Sequence, residues 1–132
     1  MDPRVNLLAG FVGIILGCVA GAVQGLFFHR EDWLGGYASW PRRMIRLGHI
    51  SFFGIGSLNV IVGFFLMTTE EGWQRETVSI LLLIGAVTMP LTCYLSAVDR
   101  RFRHLFPIPV LSVITALTTF TWKMVLELWG AR

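Results

Sequence analysis

Three histidines, His29, His49 and His104, are the side chains best suited to chemistry, because neutral imidazole can ligate a metal ion or the iron of a macrocycle. His29 and His104 stand at the ends of apolar stretches, where polar residues commonly meet the water boundary. His49 stands inside an apolar stretch, where an ionisable side chain indicates a functional site. We therefore predict that His49 is a metal or macrocycle ligand.

Other reaction chemistry finds no support in the sequence. The apolar stretches contain no paired carboxylates, no nucleophile with a neighbouring base and no quartet of metal ligands. They also lack an acidic residue at mid-membrane depth, where ion-coupled transport would need one. The hydroxyls of the last stretch can bond back to their own helix and need no ligand; they belong to Ser112, Thr115, Thr118, Thr119 and Thr121. We predict that the protein is not an enzyme.

Four long apolar stretches must position these side chains. The chain is 55% hydrophobic and only 14% charged, against about 25% charged in soluble domains, which excludes a water-soluble core. Each stretch is long enough to cross a hydrocarbon layer of about 30 Å as a helix. We predict an all-α integral membrane four-helix bundle with short loops. It forms a single domain over residues 1–132, with helices over about 7–28, 47–67, 78–98 and 107–128.

The basic residues lie mainly at the ends of the apolar stretches, which explains the net charge of +3 by membrane topology rather than by nucleic-acid binding. Seven arginines fall on one side of the membrane: Arg30, Arg42, Arg43, Arg46, Arg100, Arg101 and Arg103. The other side has Arg4, Arg75, Lys123 and Arg132. The positive-inside rule therefore predicts a multi-pass protein of the bacterial inner membrane with both termini outside. Its expected partners are membrane lipids and other membrane subunits.

Glycine recurs at every fourth position of the first stretch, at Gly13, Gly17, Gly21 and Gly25. Glycine costs about 1 kcal/mol in a helix interior, so this spacing indicates that something approaches the backbone closely. One interpretation is helix packing, within the chain or against a partner subunit. The other is space for a flat cofactor or a lipid-like tail. Small residues at this spacing are common in membrane bundles, so we favour packing.

The segment Arg46-Leu47-Gly48-His49, followed by Asn59 and Gly63, resembles the second helix of the catalytic subunit of haem-copper oxidases of the cbb3 type and their nitric oxide reductase relatives. The resemblance implies that His49 is an axial ligand of haem b, and that Arg46 pairs with a haem propionate. Later helices of that family carry the other ligands, so His29 or a histidine of another subunit would supply the second axial bond. In that family the histidine lies towards the outer face, whereas the arginine count places His49 towards the cytoplasm.

Two functions remain open at this point. The first is a small polytopic membrane subunit of a larger energy-converting complex, for electron transport or photosynthesis, which packs through its glycine-rich first helix. The alternative is a membrane subunit that binds haem b or another macrocyclic pigment, with His49 as the axial ligand.

Overall fold

The computed structural model describes residues 1–130, so Arg132 lies outside the described residues. Helix α1 spans Arg4–Gly25, α2 Trp40–Thr68, α3 Trp73–Val98 and α4 Pro107–Gly130, with short 3-10 helices at Trp33–Gly35 and Arg100–Leu105. Residues 1–130 contain no strand. All four α-helices are long and apolar enough to cross a membrane. The predicted all-α membrane four-helix bundle with short loops is confirmed.

The helix bounds differ most from the sequence prediction at the start of α2, which begins at Trp40 rather than near residue 47. Ser39 caps this end, because its hydroxyl accepts a hydrogen bond from the Arg42 amide, and Pro41 occupies the first turn, where proline is tolerated. The added turns are rich in arginine. Hydropathy detects only the part of a helix that lies in hydrocarbon, so it misses such an extension.

The helices pack in chain order, with α2 and α3 at the centre and α1 and α4 outside. A core of five fully or nearly fully buried side chains joins the three later helices: Val62, Leu66, Val78, Leu82 and Ala116. Among the described residues, α1 and α4 do not approach each other. Both outer helices therefore leave most of their surface to lipid or to another protein.

Three buried polar side chains connect α1, α2 and α3 inside the bundle. The Asn6 amide donates to the Asn59 side-chain oxygen at 3.0 Å and to the Ser79 carbonyl at 3.1 Å. The Ser79 hydroxyl donates to the Asn6 side-chain oxygen. Asn59 in turn donates to the carbonyls of Ile55 and Leu82. Because an unpaired polar group in hydrocarbon is costly, this network favours one register of the three helices.

A buried arginine holds the first loop against α2. Arg42 is only 4% exposed, and its guanidinium donates to the carbonyls of Arg30 at 3.4 Å and Glu31 at 3.3 Å. The same guanidinium lies 5.4–5.8 Å from the centres of three rings, those of Phe28, Trp33 and Tyr37. Arginine can stack on aromatic faces while it donates hydrogen bonds. This side chain therefore fixes the loop.

Candidate functional site

His49 lies in the third turn of α2, half-buried between α2 and α1. Its Nε2 atom faces Gly21, where an added Cβ would lie only 2.5 Å away. The Phe53 ring meets the imidazole edge to face, with 5.4 Å between the ring centres. Within residues 1–130 the imidazole forms no hydrogen bond. His49 is therefore an unbonded imidazole inside a membrane span, in close contact with a neighbouring helix backbone.

The surroundings of His49 do not fit a macrocycle on Nε2, because that nitrogen faces Gly21 of α1 so closely that an added Cβ would not fit between them. The guanidinium of Arg46, predicted as a propionate partner, lies 4.1 Å from the Tyr37 ring centre. His29, predicted as the second ligand, is exposed, and so is His104. Over residues 1–130 no three metal-ligating side chains form a cluster. Haem ligation at Nε2 would require the His49 side chain to rotate.

The glycines of α1 make their close approach to α2 of the same chain. We call Gly10, Gly13, Gly17 and Gly21 the glycine face. A Cβ at Gly10 would lie 2.6 Å from the Gly56 carbonyl oxygen, and a Cβ at Gly17 would lie 2.8 Å from a neighbouring ring. Gly13 is close to the same α2 backbone.

A Cβ at Gly25, by contrast, would meet no atom within 4 Å. The sequence left open helix packing within the chain, packing against a partner subunit and space for a cofactor or lipid tail. The structure shows packing within the chain. The glycine face packs against α2, and of its four glycines only Gly13 also borders the groove between α1 and α3.

An apolar groove of about 470 Å³ lies between α1 and α3, beside the glycine face. Leu16 and Gly13 form part of one wall, Leu83 and Val87 part of the other, and Phe52 of α2 the floor. Among its lining residues only a tyrosine, at position 94, has a polar side chain. The groove can accept an apolar chain, but it presents no set of groups that could carry out a reaction.

The outward side of α4 carries three threonines, Thr115, Thr118 and Thr121, among exposed apolar side chains such as Ile114 and Trp122; we call the three threonines the threonine face. All three side chains are exposed. Thr118 donates to the Ile114 carbonyl at 2.8 Å, as the sequence predicted for these hydroxyls. The hydroxyls of Thr115 and Thr121 form no hydrogen bond with any described residue. Of the five hydroxyls for which the sequence predicted a bond to their own helix, Ser112 and Thr118 form it, whereas Thr115, Thr119 and Thr121 do not form it within the described helix.

The threonine face lies at hydrocarbon depth. At about 1.5 Å per residue, Thr115 lies roughly 12 Å and Thr121 roughly 21 Å along α4 from Pro107. The three positions fall within about 60° of Thr118 around the helix, because successive residues are about 100° apart. Their spacing of three residues was the sequence signal that could have identified this face.

Comparisons with protein-family models, with characterised proteins and with solved structures found no match for this chain. The geometry of the described residues is therefore the basis of the functional proposal.

Proposed function

We propose that the protein is a small polytopic membrane subunit that packs against another membrane protein through the threonine face of α4. The observation that carries this proposal is the pair of exposed hydroxyls, Thr115 and Thr121, without a hydrogen-bond partner at hydrocarbon depth. Lipid tails offer no partner to a hydroxyl, whereas a neighbouring helix offers side chains and carbonyls. Threonine is among the small residues enriched where membrane helices meet.

The outer surface of α1 provides a contrast within the same chain. Apart from Arg4 in its first turn, its large exposed side chains are apolar, among them Leu8, Phe11, Ile15, Val19 and Val23. Lipid tails can pack against such a surface without leaving a polar group unpaired. The difference between the two outer helices indicates lipid around α1 and a protein neighbour beside α4.

This proposal moves the partner contact from the place that the sequence favoured. Because the glycine face packs against α2, a partner helix cannot use the same close approach without displacing α2. We therefore assign the contact to α4. The energy-converting nature of the complex stays a prediction, which the identity of the partner will test.

The test is the size of the complex that the tagged chain forms when it is extracted from native membranes in mild detergent. We expect one discrete complex larger than the chain alone. Replacing all three threonines with valine keeps their shape and removes the hydroxyls. Two cross-helix hydrogen bonds at about 0.6 kcal/mol each amount to about 1.2 kcal/mol, so the Kd of the variant complex should rise roughly eightfold.

Thr88→Val is the matched control, because the Thr88 hydroxyl already donates to the Ile84 carbonyl of its own helix at 2.6 Å. This variant should leave the complex unchanged. A triple valine variant that assembles as well as Thr88→Val would remove the threonine face from the contact.

The haem or pigment alternative is supported by one observation, the unbonded imidazole of His49 inside α2. Histidine inside a membrane span is by default a functional candidate. The contact of Nε2 with Gly21 weighs against it. An oxidised and reduced absorption spectrum of the same purified sample tests it directly. Bands that disappear in His49→Ala would establish the ligand, and a colourless sample would exclude a chromophore.

A further inference from the structure

The 3-10 helix Arg100–Leu105, between α3 and α4, sorts its six side chains into three columns. With about three residues per turn, side chains three positions apart eclipse each other. Arg100 therefore stands above Arg103, and Arg101 stands above His104. Phe102 and Leu105 form the third column, so the helix has two basic columns and one apolar column.

The two basic columns enclose a depression of about 260 Å³, lined by Arg100, Arg101, Arg103 and His104 alone. All four side chains are exposed. Within residues 1–130 none of these arginines forms an ion pair with a carboxylate. The nearest carboxylate in sequence, Asp99, accepts a hydrogen bond from the Arg101 backbone amide at 2.8 Å. The depression is therefore a concentration of positive charge without an internal counter-ion.

Apolar surface adjoins this charge. Phe102 and Leu105 are each 38% exposed, and α4 continues from them with the exposed side chains Ile108 and Leu111. A ligand that fills the depression with a negatively charged group can thus lay an apolar chain along the start of α4. An acidic protein segment would satisfy the charge and leave the apolar column without a partner.

We propose that this depression binds the phosphate headgroup of an anionic phospholipid, whose acyl chains lie on the third column and on the first turns of α4. Arginine suits phosphate because its planar fork can donate two parallel hydrogen bonds. Arg100 is partly positioned by the Trp40 ring, whose centre lies 5.8 Å from its guanidinium carbon. The site is independent of the threonine face and of any partner protein.

The experiment uses the purified full chain in mild detergent, with the retained lipid counted by native mass spectrometry. Phosphatidylglycerol should bind, and phosphatidylcholine of the same chain length should not. A basic residue beside a membrane contributes about a fivefold gain in affinity for anionic lipid, so Arg101→Gln with Arg103→Gln should weaken phosphatidylglycerol binding roughly thirtyfold. The corresponding double lysine variant keeps the charge and should retain most of the binding.

The control double variant, Arg4→Gln with Arg30→Gln, loses the same net charge from exposed positions outside the depression. It should bind phosphatidylglycerol like the unmodified chain. Equal losses in both double glutamine variants would overturn the proposal, because overall charge would then explain the binding. Equal retention of phosphatidylglycerol and phosphatidylcholine by the unmodified chain would also overturn the proposal. Displacement by millimolar glycerol phosphate would assign the depression to a soluble phosphate instead.

Discussion

Alanine at position 10 should separate α1 from α2, because the two backbones meet there with no room for a side chain. A Cβ on Gly10 would lie 2.6 Å from the Gly56 carbonyl oxygen and 2.9 Å from the Val60 backbone nitrogen. An ordinary contact begins at 3.4 Å, so the oxygen contact falls short by 0.8 Å, the difference between 3.4 and 2.6 Å. Both atoms belong to the α2 backbone and cannot rotate away as a side chain would. The helices must therefore move apart.

The expected loss follows from two opposing effects. Overpacking costs about 1–3 kcal/mol, and alanine recovers up to about 1 kcal/mol of helix propensity relative to glycine. With the full propensity gain, we therefore expect Gly10→Ala to lower the free energy of unfolding by up to about 2 kcal/mol. Gly54→Ala is the matched control, since a Cβ on Gly54 would meet no atom within 4 Å. That variant keeps the propensity gain alone, so the two variants should differ by the overpacking cost of about 1–3 kcal/mol.

The assay is titration of each variant from mild detergent into sodium dodecyl sulphate, followed by helical circular dichroism and tryptophan fluorescence. Equal midpoints for Gly10→Ala and Gly54→Ala would refute the close backbone approach at Gly10.

Three further predictions concern the polar contacts of the bundle. Asn59→Ala should lower the free energy of unfolding by about 2–3 kcal/mol in the same titration, because it leaves its buried partners in α1 and α3 unpaired; a loss below about 0.5 kcal/mol would contradict the network. Arg42→Ala should speed amide hydrogen exchange over residues 26–39, whereas the exposed Arg43→Ala should not; equal exchange in both variants would show that the buried guanidinium does not hold the loop. Trp40→Phe should cost about 1 kcal/mol, since it removes the indole donor to an α3 carbonyl at 2.7 Å, and an unchanged midpoint would contradict that bond.

The existence and number of the helices could be predicted from sequence, because a span of about twenty apolar residues has few alternatives in a membrane. The start of α2 could not, because Trp40 to Arg46 is too polar to register as membrane-spanning. The register in which the helices pack could not be predicted from the sequence either. It depends on which faces of α1 and α2 meet, and that is set jointly by the Gly10 contact with Gly56 and by the Asn6 bond to Asn59.

At the candidate site too, the sequence shows which residues are present but not which residues they contact. The position of His49 inside an apolar stretch could be seen in the sequence, but the contact of its Nε2 atom with Gly21 could not. The positive-inside rule counts Arg42 as a solvent-exposed charge of the first loop. The structure shows it 4% exposed, beneath three aromatic rings, because an arginine with carbonyl acceptors and ring faces can leave water.

The claim that a protein lies beside α4 and lipid lies beside α1 is tested most directly by photo-crosslinking in native membranes. A photoreactive amino acid would replace Thr118 on the threonine face in one variant and Val19 on the outer surface of α1 in another. We predict a discrete protein adduct from position 118 and lipid adducts alone from position 19. Lipid adducts alone from both positions, or the same protein adduct from both, would contradict a partner contact on α4.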